Sequence, residues 1–175
     1  VVLRCGSAVR TWRPGDRVVV HPTVVSGAHP ATHDDGMLGP DQVVWGFETN
    51  FGGLAELAVA KANQLVPKAA HLTWEEAATT TACCATSYRM LVSPNGAGMR
   101  LGDSVLLWGA TGGIGIFGVQ LTLAAGGTPV GVVSRPERVA LLNELGVSRV
   151  IDRSAEGYRF WADDTTQDPA EWRRF

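Results

Sequence analysis

A chain of 175 residues with 45% hydrophobic residues and a formal net charge of −2 has the composition of a folded globular protein. That balance, without a basic stripe, gives no electrostatic pull toward nucleic acid or an anionic membrane. No run of roughly 18 uncharged apolar residues is present to span a bilayer, and no charged-then-apolar leader opens the chain, so a cytoplasmic location is expected.

The chain opens on VVLRCGSAV without an initiator Met, which reads as a start inside a strand and makes a fragment the expectation. VVLRCGSAVRTWRPGDRVVVHP holds two short apolar runs around a Pro14-Gly15-Asp16 turn. GGLAELAVAKANQLVPK gives two more, ending at Pro67. Between them lies an aperiodic Gly/Pro/His/Asp loop, so residues 1–66 read as a small β-barrel-like domain. At Thr73 the pattern changes. TWEEAATTTACCATSYRML reads as one helix opened by a Thr73/Glu76 capping box. The adjacent Cys83 and Cys84 within it read as small buried residues in a reduced compartment; with Cys5 they make three cysteines, which argues against a disulfide framework. VLLWG is then a buried strand, GGIGIFGVQLTLAAGG an apolar helix, and TPVGVVS a second strand. RPERVALLNELG is a helix with Ser134/Glu137 as a second capping box and Gly146 at its C-terminal end, and SRVID is a third strand. This strand–helix alternation is the βαβαβ half of a mononucleotide-binding sheet. The remaining RSAEGYRFWADDTTQDPAEWRRF is polar and aromatic, with a helix start at Asp168-Pro169.

The turn GATGGIG carries the strongest physical signal. Gly109, Gly112 and Gly115 follow a strand and open a helix, where the chain must reverse tightly and its backbone must come close to a pyrophosphate. The helix N-terminus, from Ala110 through Gly113, Ile114 and Gly115, offers free amides and a partial positive charge. The alternative is a tight turn without a ligand. At the end of the second strand an NAD enzyme places a carboxylate for the ribose 2′-hydroxyl. Here Ser134, Arg135 and Arg138 stand instead, a hydroxyl and two guanidiniums suited to a 2′-phosphate. The expected cofactor is NADPH. The alternative is a solvated helix end with incidental arginines.

VVWGFETNFGGLAELAVAKANQLVPKAAHLTWEEAA, TSYRML and the glycine-turn region through VIDR together resemble crotonyl-CoA carboxylase/reductase, within the medium-chain dehydrogenase/reductase superfamily. The resemblance runs from Arg13 to Arg153, with WGFETNFG and HLTWEEAA its more diagnostic parts. It implies an α/β fold: a partial GroES-like β-barrel domain over residues 1–72, followed by the first half of a Rossmann doubly wound parallel sheet over 73–175, incomplete at its end. It also implies a homo-oligomer, tetramer or dimer. The implied activity is hydride transfer from NADPH to the β-carbon of an enoyl-CoA, with the enolate trapped by CO2. Crotonyl-CoA would give ethylmalonyl-CoA.

In the family the CO2 pocket is similar to an Asn, a Phe-Glu pair and a His. The pair matches Phe47 and Glu48; the Asn falls upstream of Val1 and the His downstream of Phe175. Glu48, buried among Trp45, Phe47 and Phe51, would orient a water or polar partner beside an apolar wall. The alternative is an acid satisfied by turn amides. Thr86, with Ser87 and Tyr88, matches a segment near the nicotinamide, or else serves packing and capping. No metal is expected: the Cys cluster and Gly-His-Glu segment of zinc-dependent relatives are missing, and His29, His33, Asp34 and Asp35 read as a solvated loop. The loop from Pro22 to Gln42 departs from the family pattern. Two rivals stay open: an enoyl or quinone reductase that protonates the enolate, and an incomplete domain that only binds nucleotide.

Overall fold

The structure, a computed structural model, describes residues 1–25 and 35–175. It separates into two compact units, Val1–Ala82 and Cys83–Phe175.

The first unit holds strands β1 (Val18–Val20), β2 (Thr23–Val24), β3 (Val43–Val44) and β4 (Leu65–Pro67), and helix α1 (Trp74–Thr79). β1 pairs antiparallel with β4, Val18 opposite Pro67 and Val20 opposite Leu65. β2 pairs antiparallel with β3. The expected Pro14-Gly15-Asp16 turn forms, with Gly15 at φ +96 and the Arg13 amide donating to the Asp16 carboxylate at 2.8 Å. Gln64 is buried and bonded through both ends of its amide: its Nε2 donates to the His21 carbonyl at 3.0 Å and its Oε1 accepts from the Lys61 amide at 2.9 Å.

Two runs expected as strands do not form them. Residues 1–9 and 54–60 carry no ladder, and a strand exists only where a neighbour satisfies its amides and carbonyls. In the first run Val2 exchanges both backbone bonds with the turn, at 2.9 Å to Asp16 and 2.9 Å from Gly15. In the second, the Val59 carbonyl accepts from Trp45 Nε1 at 3.1 Å.

The Thr73/Glu76 capping box is present in both directions, at 3.1 Å and 2.8 Å. The single helix expected from Thr73 onward is interrupted, however. α1 gives way to a π-helical stretch, Thr80–Cys84, before helix α2 (Ala85–Val92). The cause lies in the threonine run. The hydroxyls of Thr79 and Thr80 donate back to the carbonyls of Glu76 and Ala77, at 2.8 Å and 2.7 Å, and compete with the regular helical ladder.

In the second unit β5 (Ser104–Trp108), α3 (Gly113–Ala124), β6 (Thr128–Val133), α4 (Pro136–Glu144) and β7 (Arg149–Asp152) follow in the expected alternation. The three strands form one parallel sheet in the order β5-β6-β7, with Leu106 opposite Val130 and Val132 opposite Ile151. Ala110, Val119, Val133, Leu142 and Val147 form its core. Gly146 ends α4 at φ +90, its amide bonding the Asn143 carbonyl at 2.9 Å. The Ser134/Glu137 capping box is not made. α4 starts at Pro136, so Arg135 is the N-cap and no side chain caps the helix. Glu137 is then one position too early for the reciprocal bond.

The polar-aromatic tail folds back on the sheet. Helix α5 (Pro169–Arg174) is capped by Asp168, which accepts from the Ala170 amide at 2.8 Å. Phe160, Trp172 and Phe175 lie 5.5, 5.9 and 5.4 Å from the Trp108 ring, at the C-terminal end of β5.

Candidate functional site

β5 ends in the glycine turn. Gly109 adopts φ +68, a conformation that favours glycine. The amides of Gly109 and Ala110 both donate to the Val132 carbonyl, at 3.1 and 3.2 Å, which fastens the turn to the end of β6. The Gly112 amide closes it on the Gly109 carbonyl at 2.9 Å. Gly112 is the N-cap of α3, and no side chain caps it. The first-turn amides of Gly113, Ile114 and Gly115 therefore point out of the helix end without intrahelical acceptors. The glycines let the turn pack closely on itself and on its neighbours. A Cβ on Gly115 would lie 2.8 Å from Ala110 Cα and would meet the Gly109 carbonyl oxygen. A Cβ on Gly112 would sit 3.3 Å from that same oxygen, and one on Gly113 3.1 Å from Cys83 Sγ.

A cavity of about 320 Å³ opens where the turn meets the end of β6. Of the residues expected to bind the cofactor, Gly109, Gly112, Ser134, Arg135 and Arg138 line it together. Ala110 does not: it is fully buried in the core. Gly113, Ile114 and Gly115 stand outside the lining too, as does Thr86 on α2. Next to Thr86, buried Ser87 donates its hydroxyl to the Ile114 carbonyl, so the TSY run here ties α2 to the first turn of α3. That is the packing alternative.

Five further residues line it that carried no expectation from the sequence: Trp108, Thr111, Val132, Val133 and Arg153. Arg138 reaches across the cavity toward the Thr111 carbonyl and hydroxyl at 3.4 Å each, the outer limit of a hydrogen bond. Arg153 follows β7; its amide donates to the Val133 carbonyl at 3.0 Å and its guanidinium lies 5.4 Å from the Trp108 ring centroid. The signal for it was the Arg in VIDR, one residue past the third strand. Asp152 beside it accepts from the Ser154 hydroxyl at 2.6 Å and the Ser154 amide at 2.9 Å. The Ser154 hydroxyl, foremost, holds that carboxyl below its ordinary value, against a smaller opposing effect of burial.

Among the described residues no acidic side chain lines the cavity, while three guanidiniums and a serine hydroxyl do. A 2′-phosphate fits that donor set and a free 2′-hydroxyl read by a carboxylate does not. The uncapped first turn of α3 fits a pyrophosphate, and the missing Cβ at Gly115 lets that turn pack against the Gly109 and Ala110 backbone.

The Phe47-Glu48 segment, in the first unit, differs from expectation. Glu48 is exposed and Phe47 is 85% exposed, so the acid is not buried among aromatics. The turn itself takes up the carboxylate: Oε2 accepts from the Val44 amide at 2.6 Å, while the Glu48 amide donates to the Val44 carbonyl at 2.8 Å. This is the turn-amide alternative. Gly46, at φ +78, and Gly52 pass so closely that a Cβ on Gly52 would lie 3.3 Å from the Gly46 nitrogen. An open cavity of about 790 Å³ beside them is lined by Phe51, Leu54, Leu57 and Val59 among others, but not by Phe47 or Glu48.

Among the described residues no group of three His, Cys, Asp or Glu could hold a metal ion. His29, His33 and Asp34 lie outside the described residues; the Asp35 carboxylate accepts from the Met37 amide at 3.1 Å. Among the described residues no helix is long and apolar enough to cross a membrane.

Residues 1–70 match the alcohol dehydrogenase GroES-like domain. Over all 175 residues the chain is 55% identical to a crotonyl-CoA reductase of Streptomyces collinus, and covers 39% of that protein. It is 37% identical to a crotonyl-CoA carboxylase/reductase of Cereibacter sphaeroides, over 92% of this chain and 37% of that one. The solved structure of the 2-octenoyl-CoA carboxylase reductase CinF in complex with NADP and 2-octenoyl-CoA superposes with a TM-score of 0.85. It is 55% identical, with 91% of this chain and 36% of that chain covered. The chain thus spans about two fifths of the length of the curated relatives it matches.

Proposed function

We propose that this chain, homologous from end to end to crotonyl-CoA reductases, is part of an NADPH-dependent enoyl-CoA carboxylase/reductase. Residues 1–72 are then its partial GroES-like catalytic domain and 73–175 the first half of its NADP-binding domain. The parent enzyme would be a cytoplasmic homo-oligomer. One observation carries the reading: the cavity at the ends of β5 and β6 joins a glycine turn to Ser134, Arg135 and Arg138, with no carboxylate from the described residues in its lining.

In this reading the uncapped first turn of α3, at Gly113, Ile114 and Gly115, takes the pyrophosphate. Arg135 and Arg138 take the 2′-phosphate, each able to present two parallel N–H groups, with the Ser134 hydroxyl as a further donor. Arg138 would exchange its two 3.4 Å contacts with Thr111 for charge-assisted bonds, so little is lost on binding. Bound NADPH supplies the hydride that adds to the substrate β-carbon. The electron pair of the C=C bond moves to the α-carbon and thioester oxygen. The α-carbon then forms a C–C bond to CO2, and the product is a carboxylated acyl-CoA. Phe47 would furnish an apolar wall for CO2. Glu48, whose Oε2 is fixed by the Val44 amide, keeps acceptor capacity for a water or polar partner.

The exposure of Phe47 and Glu48 favours one second reading, a reductase of the same fold in which the α-carbon takes a proton instead. One experiment separates the two. The full-length protein is supplied with NADPH and crotonyl-CoA, with and without bicarbonate, and the products are weighed by mass spectrometry. Ethylmalonyl-CoA formed only with bicarbonate supports carboxylation. Butyryl-CoA alone under both conditions supports the reductase, and no NADPH oxidation in either contradicts both.

A further inference from the structure

We infer that Arg153 is a third cation of the 2′-phosphate-reading set and that Trp108 positions it; this rests on the NADPH reading above. Arg135 and Arg138 are exposed, and among the described residues the Arg138 guanidinium bonds Thr111 alone, at the outer limit of distance. Arg153 is different. It is half-buried, and its backbone is pinned by a 3.0 Å bond from its amide to the Val133 carbonyl, next to Ser134. Its guanidinium lies over the Trp108 indole, 5.4 Å from the ring centroid. The indole in turn is held by Phe160, Trp172 and Phe175. A guanidinium held over a ring within about 6 Å is attracted by the ring's face and need not spend its N–H donors on it. The contact therefore biases where the charge sits and leaves the donors to a ligand. Among the described residues the adjacent Asp152 makes no ion pair with this guanidinium; its Oδ1 accepts from the Ser154 amide and hydroxyl.

A cation already ordered loses less side-chain freedom when it binds than the two exposed arginines do. Arg153 thus acts on the choice between NADPH and NADH, and Trp108 acts through it. The aromatic tail from Tyr158 to Phe175 gains a role as the support of that pair.

Equilibrium titrations of the full-length protein with NADPH and with NADH, in parallel, test this. R153A should weaken NADPH roughly tenfold, the loss of one charge-assisted bond, and leave NADH within about twofold. R153K, which keeps charge but not the planar fork, should fall between wild type and R153A. W108L should lose discrimination in the same direction, W108F should retain it, and R153A combined with W108L should lose no more than R153A alone. An unchanged NADPH/NADH ratio in both R153A and R153K overturns the inference. So does an equal loss for both cofactors in R153A, which would mark a structural role. A wild-type protein without preference for NADPH overturns the cofactor reading itself, a distinct result.

Discussion

Replacing Gly115 with Ala adds one methyl group at the most crowded point of the glycine turn. Its Cβ would lie 2.8 Å from Ala110 Cα and 2.9 Å from the Ala110 carbonyl carbon, besides meeting the Gly109 carbonyl oxygen. All three are backbone atoms, so no rotamer change relieves the clash, and the first turn of α3 has to move away from β5. Forced overpacking of this kind costs about 1–3 kcal/mol. A Gly-to-Ala change inside a helix returns up to about 1 kcal/mol of propensity, which sets the net loss near 1–2 kcal/mol. Gly112→Ala serves as the contrast. It has an ordinary extended backbone at φ −75 and a single 3.3 Å neighbour, the Gly109 oxygen, and should cost under about 1 kcal/mol. Urea unfolding followed by circular dichroism reads the stability, and NADPH titration reads the site. The displaced helix end should also weaken NADPH by roughly tenfold or more, since first-turn amides serve phosphate only in register. Gly115→Ala with stability and NADPH affinity equal to wild type would refute the close helix–strand contact on which the pyrophosphate cradle rests.

Four further outcomes are expected. Thr73→Ala removes one arm of a capping box formed at 3.1 and 2.8 Å, and should cost about 1 kcal/mol in urea unfolding. Changing Arg135 and Arg138 together to Ala should weaken NADPH by tens of fold while sparing NADH in titrations; equal loss for both would deny them the 2′-phosphate. Glu48→Gln in the full-length protein should shift the product from carboxylated toward merely reduced acyl-CoA, read by mass; an unchanged ratio would remove Glu48 from the pocket. Asp152 and Asp163 titrate below the ordinary carboxylate value, through the Ser154 hydroxyl and the Thr165 amide respectively. A depressed folded value means their contribution is present above the unfolded carboxylate value and is lost as pH falls through the folded one. Asp152→Asn should therefore flatten the acid limb of the stability–pH profile, and an unaltered limb would show that the Ser154 bonds contribute nothing.

The second unit was largely readable because its signals are local. β5, α3, β6, α4 and β7 are short apolar or amphipathic runs separated by Gly, Pro or polar turn residues, and Gly109 and Gly146 take the positive φ that their places require. What escaped was longer-ranged. Pairing of residues 1–9 and 54–60 depends on neighbours that a single run does not specify, so apolar character alone overstated strand. The π-helical break at Thr80–Cys84 arises from hydroxyl back-bonding, which hydrophobic periodicity does not register. The Ser134/Glu137 box looked sound by spacing, yet Pro136 fixed the helix start one residue late. In the site, Ser134, Arg135 and Arg138 were found by strand-end logic. Arg153 was missed because it reaches the same cavity from the next strand, across the sheet order rather than along the chain. Glu48 was expected among buried aromatics, with the turn-amide acid as the alternative; its exposure could not be read from neighbours in sequence, since Phe47 and Phe51 project outward.

The central claim is that reduction by NADPH and capture of CO2 occur in one enzyme. It meets its most direct test when the full-length protein turns over crotonyl-CoA with NADPH in ¹³C-labelled bicarbonate. The account predicts an ethylmalonyl-CoA product that carries a single ¹³C in its new carboxyl group, formed in step with NADPH oxidation. NADPH oxidation yielding only unlabelled butyryl-CoA would contradict it.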